Sequence, residues 1–228
     1  NEITSMSEHA LPYVEVNPKS QARATVIWLH GLGDSGNGFA PIVPDLKLPS
    51  ELGIRFVFPH APMRPVTINN GMTMRAWYDI TSLDFNNRAD SQGVKESSAL
   101  VADLIEKEIT RGIPANKIVL VGFSQGGVIA LNLGTRFEKS LAGVISMSSY
   151  MSESEKLNDE AHSANKNTPF FVAHGTQDDV VPVFMGNTAF KVLESNGYQV
   201  TWHEYAMQHN VCMQQLNDIS SWLKEKLC

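Results

Sequence analysis

Cysteine is scarce in this chain of 228 residues, where Cys212 and Cys228 are the only two. A scaffold stapled by several disulfides is thereby excluded, and a reducing compartment is the simpler expectation. Basic residues are outnumbered, with 18 Lys and Arg against 24 Asp and Glu and a formal net charge of −6. Without clustered cations to displace counterions, nucleic acid is not an expected partner. Long apolar runs are missing as well: the chain is 43% hydrophobic, its mean hydropathy is −0.15, and no stretch is long enough to span a bilayer. Residues 1 to 20 lack the basic start and apolar stretch of a secretory signal, so a cytoplasmic location is expected. Internal repeats and low-complexity tracts are absent too. The length suits one core, which predicts a single domain over 1–228.

What is present is an alternation. Short apolar, β-branched runs occur at Ala24 to Leu29, Arg55 to Phe58, Lys117 to Val121, Gly143 to Met147 and Phe170 to Ala173, with a last strand at Tyr198 to Tyr205. Such runs fit a parallel sheet buried on both faces. Between them Val101, Leu104, Ile105 and Ile109 mark a helical stripe that ends before Gly112, and Phe184 to Asn196 forms another that stops at Gly197. Leu216, Ile219, Leu223 and Leu227 mark a third. Repeated β-α units with right-handed crossovers predict a three-layer α/β/α sandwich around a mostly parallel sheet.

The strongest chemical signal is Gly122-Phe123-Ser124-Gln125-Gly126, which follows a predicted strand and opens the helical stretch Gly127 to Leu133. This is the nucleophile-elbow pattern, in which small flanking residues let a sharp strand-to-helix turn push the serine hydroxyl clear of the sheet. The helix that begins there aims its free N–H groups at the oxyanion beside the serine. The plainer alternative is a Gly-rich turn without chemistry.

A serine hydroxyl needs a base. In hydrolases built on this elbow the order along the chain is Ser, acid, His, which leaves His162, His174, His203 and His209. His162 lies in a polar stretch, His203 inside the last strand, and His174 at a strand end where it is expected to orient the following loop. His209 falls on a loop after the last strand, at the edge where catalytic groups collect, and is the expected base. His174-Gly175-Thr176-Gln177-Asp178-Asp179 supplies two acid candidates, one of which should hold the imidazole. Two amides are expected to form an oxyanion hole. One is Gln125, after the nucleophile; the other is Leu32 in Leu29-His30-Gly31-Leu32-Gly33-Asp34. A phosphate-binding loop is a weaker reading of that segment, because a full GxGxxG and a P-loop Lys are missing. Cys212 could instead pair with His209 as a nucleophile or metal ligand, but no further ligand cluster has metal-type spacing, and a packed thiol is expected.

With LHGLGD, GFSQGG, His-Gly-x-x-Asp and the late Met207-Gln208-His209-Asn210-Val211-Cys212 in order, the chain resembles the acyl-protein thioesterase and lysophospholipase family of carboxylesterases, within the α/β-hydrolase superfamily. The resemblance runs over nearly the whole length. It implies the α/β-hydrolase fold and hydrolysis of acyl thioesters on proteins, lysophospholipids and small carboxylic esters, in the cytosol, with no cofactor or metal. It also selects Asp178 over Asp179, the acid being the third residue after the glycine. The family's catalytic His usually stands between Gly and Ser, where this chain has Gln208 and Asn210, and Pro often follows the acid, where it has Asp179. A transient contact at a membrane surface and a homodimer are left open.

One further segment, 62–77, carries Met63, Val66, Ile68, Met72, Met74 and Trp77 among Pro and Asn-Gly breaks. Its apolar residues lack regular spacing, which predicts a long loop over the substrate, with Met63, Met72, Met74 and Trp77 binding the acyl chain. Two rival functions remain at this stage: a short-chain carboxylesterase without a protein substrate, and a noncatalytic binding protein on the same fold.

Overall fold

The computed structural model describes residues 10–82, 84 and 89–228. Among these residues nine strands occur in chain order: β1 (Tyr13–Val16), β2 (Ala24–Leu29), β3 (Ile54–Pro59), β4 (Met63–Val66), β5 (Met72–Arg75), β6 (Ile118–Phe123), β7 (Gly143–Met147), β8 (Phe170–Gly175) and β9 (Val200–Tyr205). Among the described residues three long helices join strands, α1 (Ser91–Thr110), α2 (Gln125–Arg136) and α3 (Val183–Ser195), and α4 (Met213–Leu227) follows β9. Seven strands form one sheet in the order β1-β3-β2-β6-β7-β8-β9. All pair in parallel except β1, which runs antiparallel to β3.

The central strands β2, β6, β7 and β8 are buried at nearly every position and mostly apolar, because both faces are covered. In β6, Ile118 and Leu120 join one buried cluster while Val119 and Val121 join another. The first cluster takes Val101, Leu104 and Ile105 of α1, Val128 and Leu131 of α2, and Leu193 of α3. The second takes Leu216, Ile219 and Leu223 of α4 together with Phe39 and Leu46. Helices therefore lie on both faces, and the three-layer architecture read from the sequence is the one observed. Each of the six expected strands is present. β1 is an addition: four half-buried residues give no apolar run. It is held at the amino end of the sheet, where the buried Glu108 accepts from Thr25 Oγ1, Arg55 and Arg111, and Arg111 also pairs with Glu15 of β1.

The expectation of an irregular loop over 62–77 is corrected. β4 and β5 form an antiparallel hairpin outside the main sheet, turning through Asn70 (φ 57°) and Gly71 (φ 74°). Asn-Gly is a strong hairpin signal, since both residues accept positive φ, and its weight was masked by Pro65 and by strands only four residues long. Among the described residues no helix is long and apolar enough to cross a membrane.

Candidate active site

The carboxyl ends of β2, β6, β8 and β9 lead into the segments that carry Leu32, Ser124, Asp178 and His209, so these distant residues meet along one edge of the sheet. Ser124 caps α2 with φ 55° and ψ −118°, a conformation that a non-glycine residue holds only when its surroundings impose it. Its N–H donates to the Met147 carbonyl at 2.9 Å, and the Ser124 carbonyl accepts from Ser149 Oγ at 2.6 Å. The glycines are required by contact. A Cβ on Gly122 would lie 2.1 Å from the Gly126 oxygen, and one on Gly126 would lie 2.4 Å from the Leu29 oxygen.

His209 Nε2 stands 3.1 Å from Ser124 Oγ, and its Nδ1 stands 2.7 Å from Asp178 Oδ2. Asp178 has a fully buried side chain, whose Oδ1 accepts the N–H groups of Val180 and Val181 at 2.9 and 2.8 Å. Asp179 is exposed. Among the described residues the amides of Leu32 and Gln125 have no backbone acceptor. The Leu32 loop is tied down by Gly33 N–H, which donates to the Arg75 oxygen at 2.8 Å. Cys212 caps α4 and packs half-buried against the second cluster.

A cleft of about 430 Å³ opens at Ser124 and His209, with Leu32, Ile68, Tyr78, Ile80, Tyr150 and Val181 among its apolar walls. A larger cavity of about 630 Å³ shares only Tyr150 with it, and neither Ser124 nor His209 lines it.

The residues expected to bind the acyl chain need correction. Met63 and Met72 are 57% and 64% exposed on the hairpin, Met74 sits half-buried against Asn69, and none of them lines the cleft. Trp77 is buried without residue. Its indole Nε1–H donates to the His30 oxygen, its amide donates to Gln125 Oε1, each at 2.8 Å, and its carbonyl accepts from Ser97 Oγ. A buried indole N–H usually finds a partner, and here the two bonds together tie the segment after β2 to the Gln125 side chain. From the hairpin segment it is Ile68 that reaches the cleft, and Tyr78, Ile80, Tyr150, Val180 and Val181 complete it. Sequence reasoning missed most of these because they come from separated loops without shared periodicity. The side chain of Gln125 was also missed: it clamps Trp77 through Oε1 and donates to the Tyr78 oxygen at 2.9 Å.

Two buried histidines flank this edge. His30 Nε2 accepts from the Ala61 N–H at 3.0 Å, and burial pushes the imidazoles of His30 and His174 below their ordinary pKa. In the unfolded chain both protonate near pH 6.5. The unfolded state therefore binds more protons below that value, so this stability is fully present above about pH 6.5 and is lost as pH falls. The slope is bounded at about 1.4 kcal/mol per pH unit for each histidine, the limit set by one proton. Urea unfolding at about pH 7.5 and about pH 5 measures it, and equal stability at both would contradict it.

Residues 12–227 match the model of the phospholipase/carboxylesterase family. Acyl-protein thioesterase 1 of Yarrowia lipolytica is 37% identical over 221 residues, covering 95% of this chain and 97% of that protein. The protein of the same name from Neurospora crassa is 42% identical over 213 residues, covering 90% and 87%. Among solved structures, Arabidopsis thaliana SOBER1 is 31% identical with a TM-score of 0.86, covering 91% of this chain and all of that one. Zea mays acyl-protein thioesterase 2 is 28% identical with a TM-score of 0.85, covering 95% and 99%. With this sheet topology and these matches, the chain belongs to the phospholipase/carboxylesterase family of α/β-hydrolases and is an enzyme that hydrolyses ester and thioester bonds.

Proposed function

We propose that the protein removes acyl chains from acylated proteins, lysophospholipids and small carboxylic esters through a Ser124–His209–Asp178 triad and an acyl-enzyme. The observation that carries this reading is the continuous hydrogen-bonded line from Asp178 Oδ2 through His209 to Ser124 Oγ at the mouth of an apolar cleft. His209 Nε2 takes the hydroxyl proton as Oγ attacks the acyl carbonyl, and the amides of Leu32 and Gln125 hold the oxyanion. The bond to the leaving sulfur or oxygen breaks, and the leaving group takes the proton from His209. A water then gives its proton to His209 and its oxygen to the acyl carbon; Ser124 recovers the proton and the carboxylic acid leaves.

The apolar walls make the length of the acyl chain the informative variable. Burial of each methylene is worth about 0.8 kcal/mol, so kcat/KM should rise about fourfold per added carbon until the cleft is filled. Hydrolysis of a series of esters, a lysophospholipid and a palmitoylated peptide measures this. A rise with length together with turnover of the acylated peptide supports the reading. A preference for the shortest esters without peptide turnover would assign a short-chain carboxylesterase instead.

A further inference from the structure

Four residues before Asp178, β8 carries His174, whose side chain is completely buried. Its Nε2 lies 2.7 Å from the Val181 carbonyl oxygen and 3.4 Å from Asp178 Oδ2. A carbonyl and a carboxylate only accept, so Nε2 carries the proton. The other ring nitrogen, Nδ1, has no hydrogen-bond partner among the described residues. It faces Gly186 in the first turn of α3, where a Cβ would come within 2.2 Å of it. Burial keeps the ring neutral and this nitrogen bare. His209, in the role proposed above, takes the opposite tautomer, with Nδ1–H toward the same carboxylate oxygen and Nε2 open to the serine proton.

The two histidines are linked by one turn. The N–H of Val181 donates to Asp178 Oδ1, and the C=O of Val181 accepts from His174. The peptide groups on either side of Val181 are thus held, one by the acid and one by the buried imidazole. Trp202 lies alongside the ring with centroids 6.4 Å apart, and on the other side the absence of a Cβ on Gly186 leaves room for it. Without the donor, the Val181 carbonyl is buried and unpaired; the turn then relaxes toward water and takes the carboxylate with it.

We propose that His174 is a positioning residue for the hydrolysis, which holds the Asp178–Val181 turn through its Nε2–H and so keeps the carboxylate aimed at His209. This rests on the triad reading above. A displacement of the order of 1 Å at a catalytic group costs about 10²-fold in rate. His174→Met, similar in bulk but without the donor, is therefore expected to lose about 10²-fold in kcat with KM within about twofold of wild type. His174→Gln, whose amide N–H reaches the same carbonyl, should recover most of that loss. Gly186→Ala leaves every hydrogen-bonding group in place and pushes the ring, and should also lower kcat rather than raise KM.

The readouts are kcat and KM on a soluble ester, the downfield Nδ1–H proton resonance of His209, and the rate of fluorophosphonate labelling at Ser124. In His174→Met the resonance should shift or broaden, and in His174→Gln it should return. Wild-type kcat in folded His174→Met or in folded Gly186→Ala overturns the proposal, as does an equal loss in His174→Met and His174→Gln. If His174→Met does not fold, Gly186→Ala and His174→Gln decide by the same criteria. A wild-type enzyme that is active but unlabelled at Ser124 overturns the triad reading instead, so the two failures are distinct.

Discussion

Purified Ser124→Ala is expected to lose covalent labelling by a fluorophosphonate and up to about 10⁶-fold in kcat, while its fold and substrate binding persist. The size of the effect follows from the joint action of the three groups. Without Oγ, His209 Nε2 has no proton to take at 3.1 Å, and the amides of Leu32 and Gln125 can only assist attack by water. The replacement itself is structurally mild. Alanine keeps the Cβ, and the bonds that hold the strained turn, from Ser124 N–H to Met147 and from Ser149 Oγ to the Ser124 carbonyl, are made by backbone atoms of residue 124. Burst kinetics and intact mass after labelling check it. Turnover near that of wild type by the purified variant would remove Ser124 from the nucleophile's role.

Asp178→Asn should cost on the order of 10⁴-fold, and Asp179→Asn very little. The direction can be worked out atom by atom. Oδ1 of Asp178 accepts two backbone N–H groups, so the amide oxygen of an asparagine goes there and its NH₂ is turned toward His209 Nδ1. That nitrogen must then accept, the imidazole proton moves to Nε2, and the side that faces Ser124 can no longer take a proton. Asp179 is exposed beside it, and a change there alters only solvated charge. Parallel kcat measurements on the two variants decide; greater damage from Asp179→Asn would reverse the assignment of the acid.

How much of the site was legible depends on how local each cause is. The elbow around Ser124 is largely a short-range requirement: the strand must turn into α2 within a few residues, and a Cβ on Gly122 or Gly126 would come within 2.1 or 2.4 Å of a backbone oxygen. Leu32 could be named for a similar reason, from glycines on both sides at the end of an apolar run. Choosing between Asp178 and Asp179 was not possible from spacing alone and came from the family resemblance; burial and three hydrogen-bond donors distinguish Asp178 in the fold. Trp77 was misread because an apolar residue in a Pro- and Asn-rich segment can line a groove or fill a core. The bonds that bury it, to His30 and Gln125, link positions 47 and 48 residues away.

The sequence by itself determined the layer architecture, the strand-to-helix elbow at Ser124 and the family. Runs of β-branched residues buried on both faces, helical stripes between them and a glycine-flanked serine each express constraints acting within a few residues or within one element. Tertiary structure alone decided what meets across elements. It brought Ile68, Tyr78, Tyr150 and Val181 from separate loops into one cleft, and it folded 63–75 into a hairpin. It also set His174 against Gly186 beneath the turn of the acid. Those contacts depend on crossover geometry and on where each strand ends in the sheet, quantities that belong to the assembled layers and leave no periodic trace along the chain.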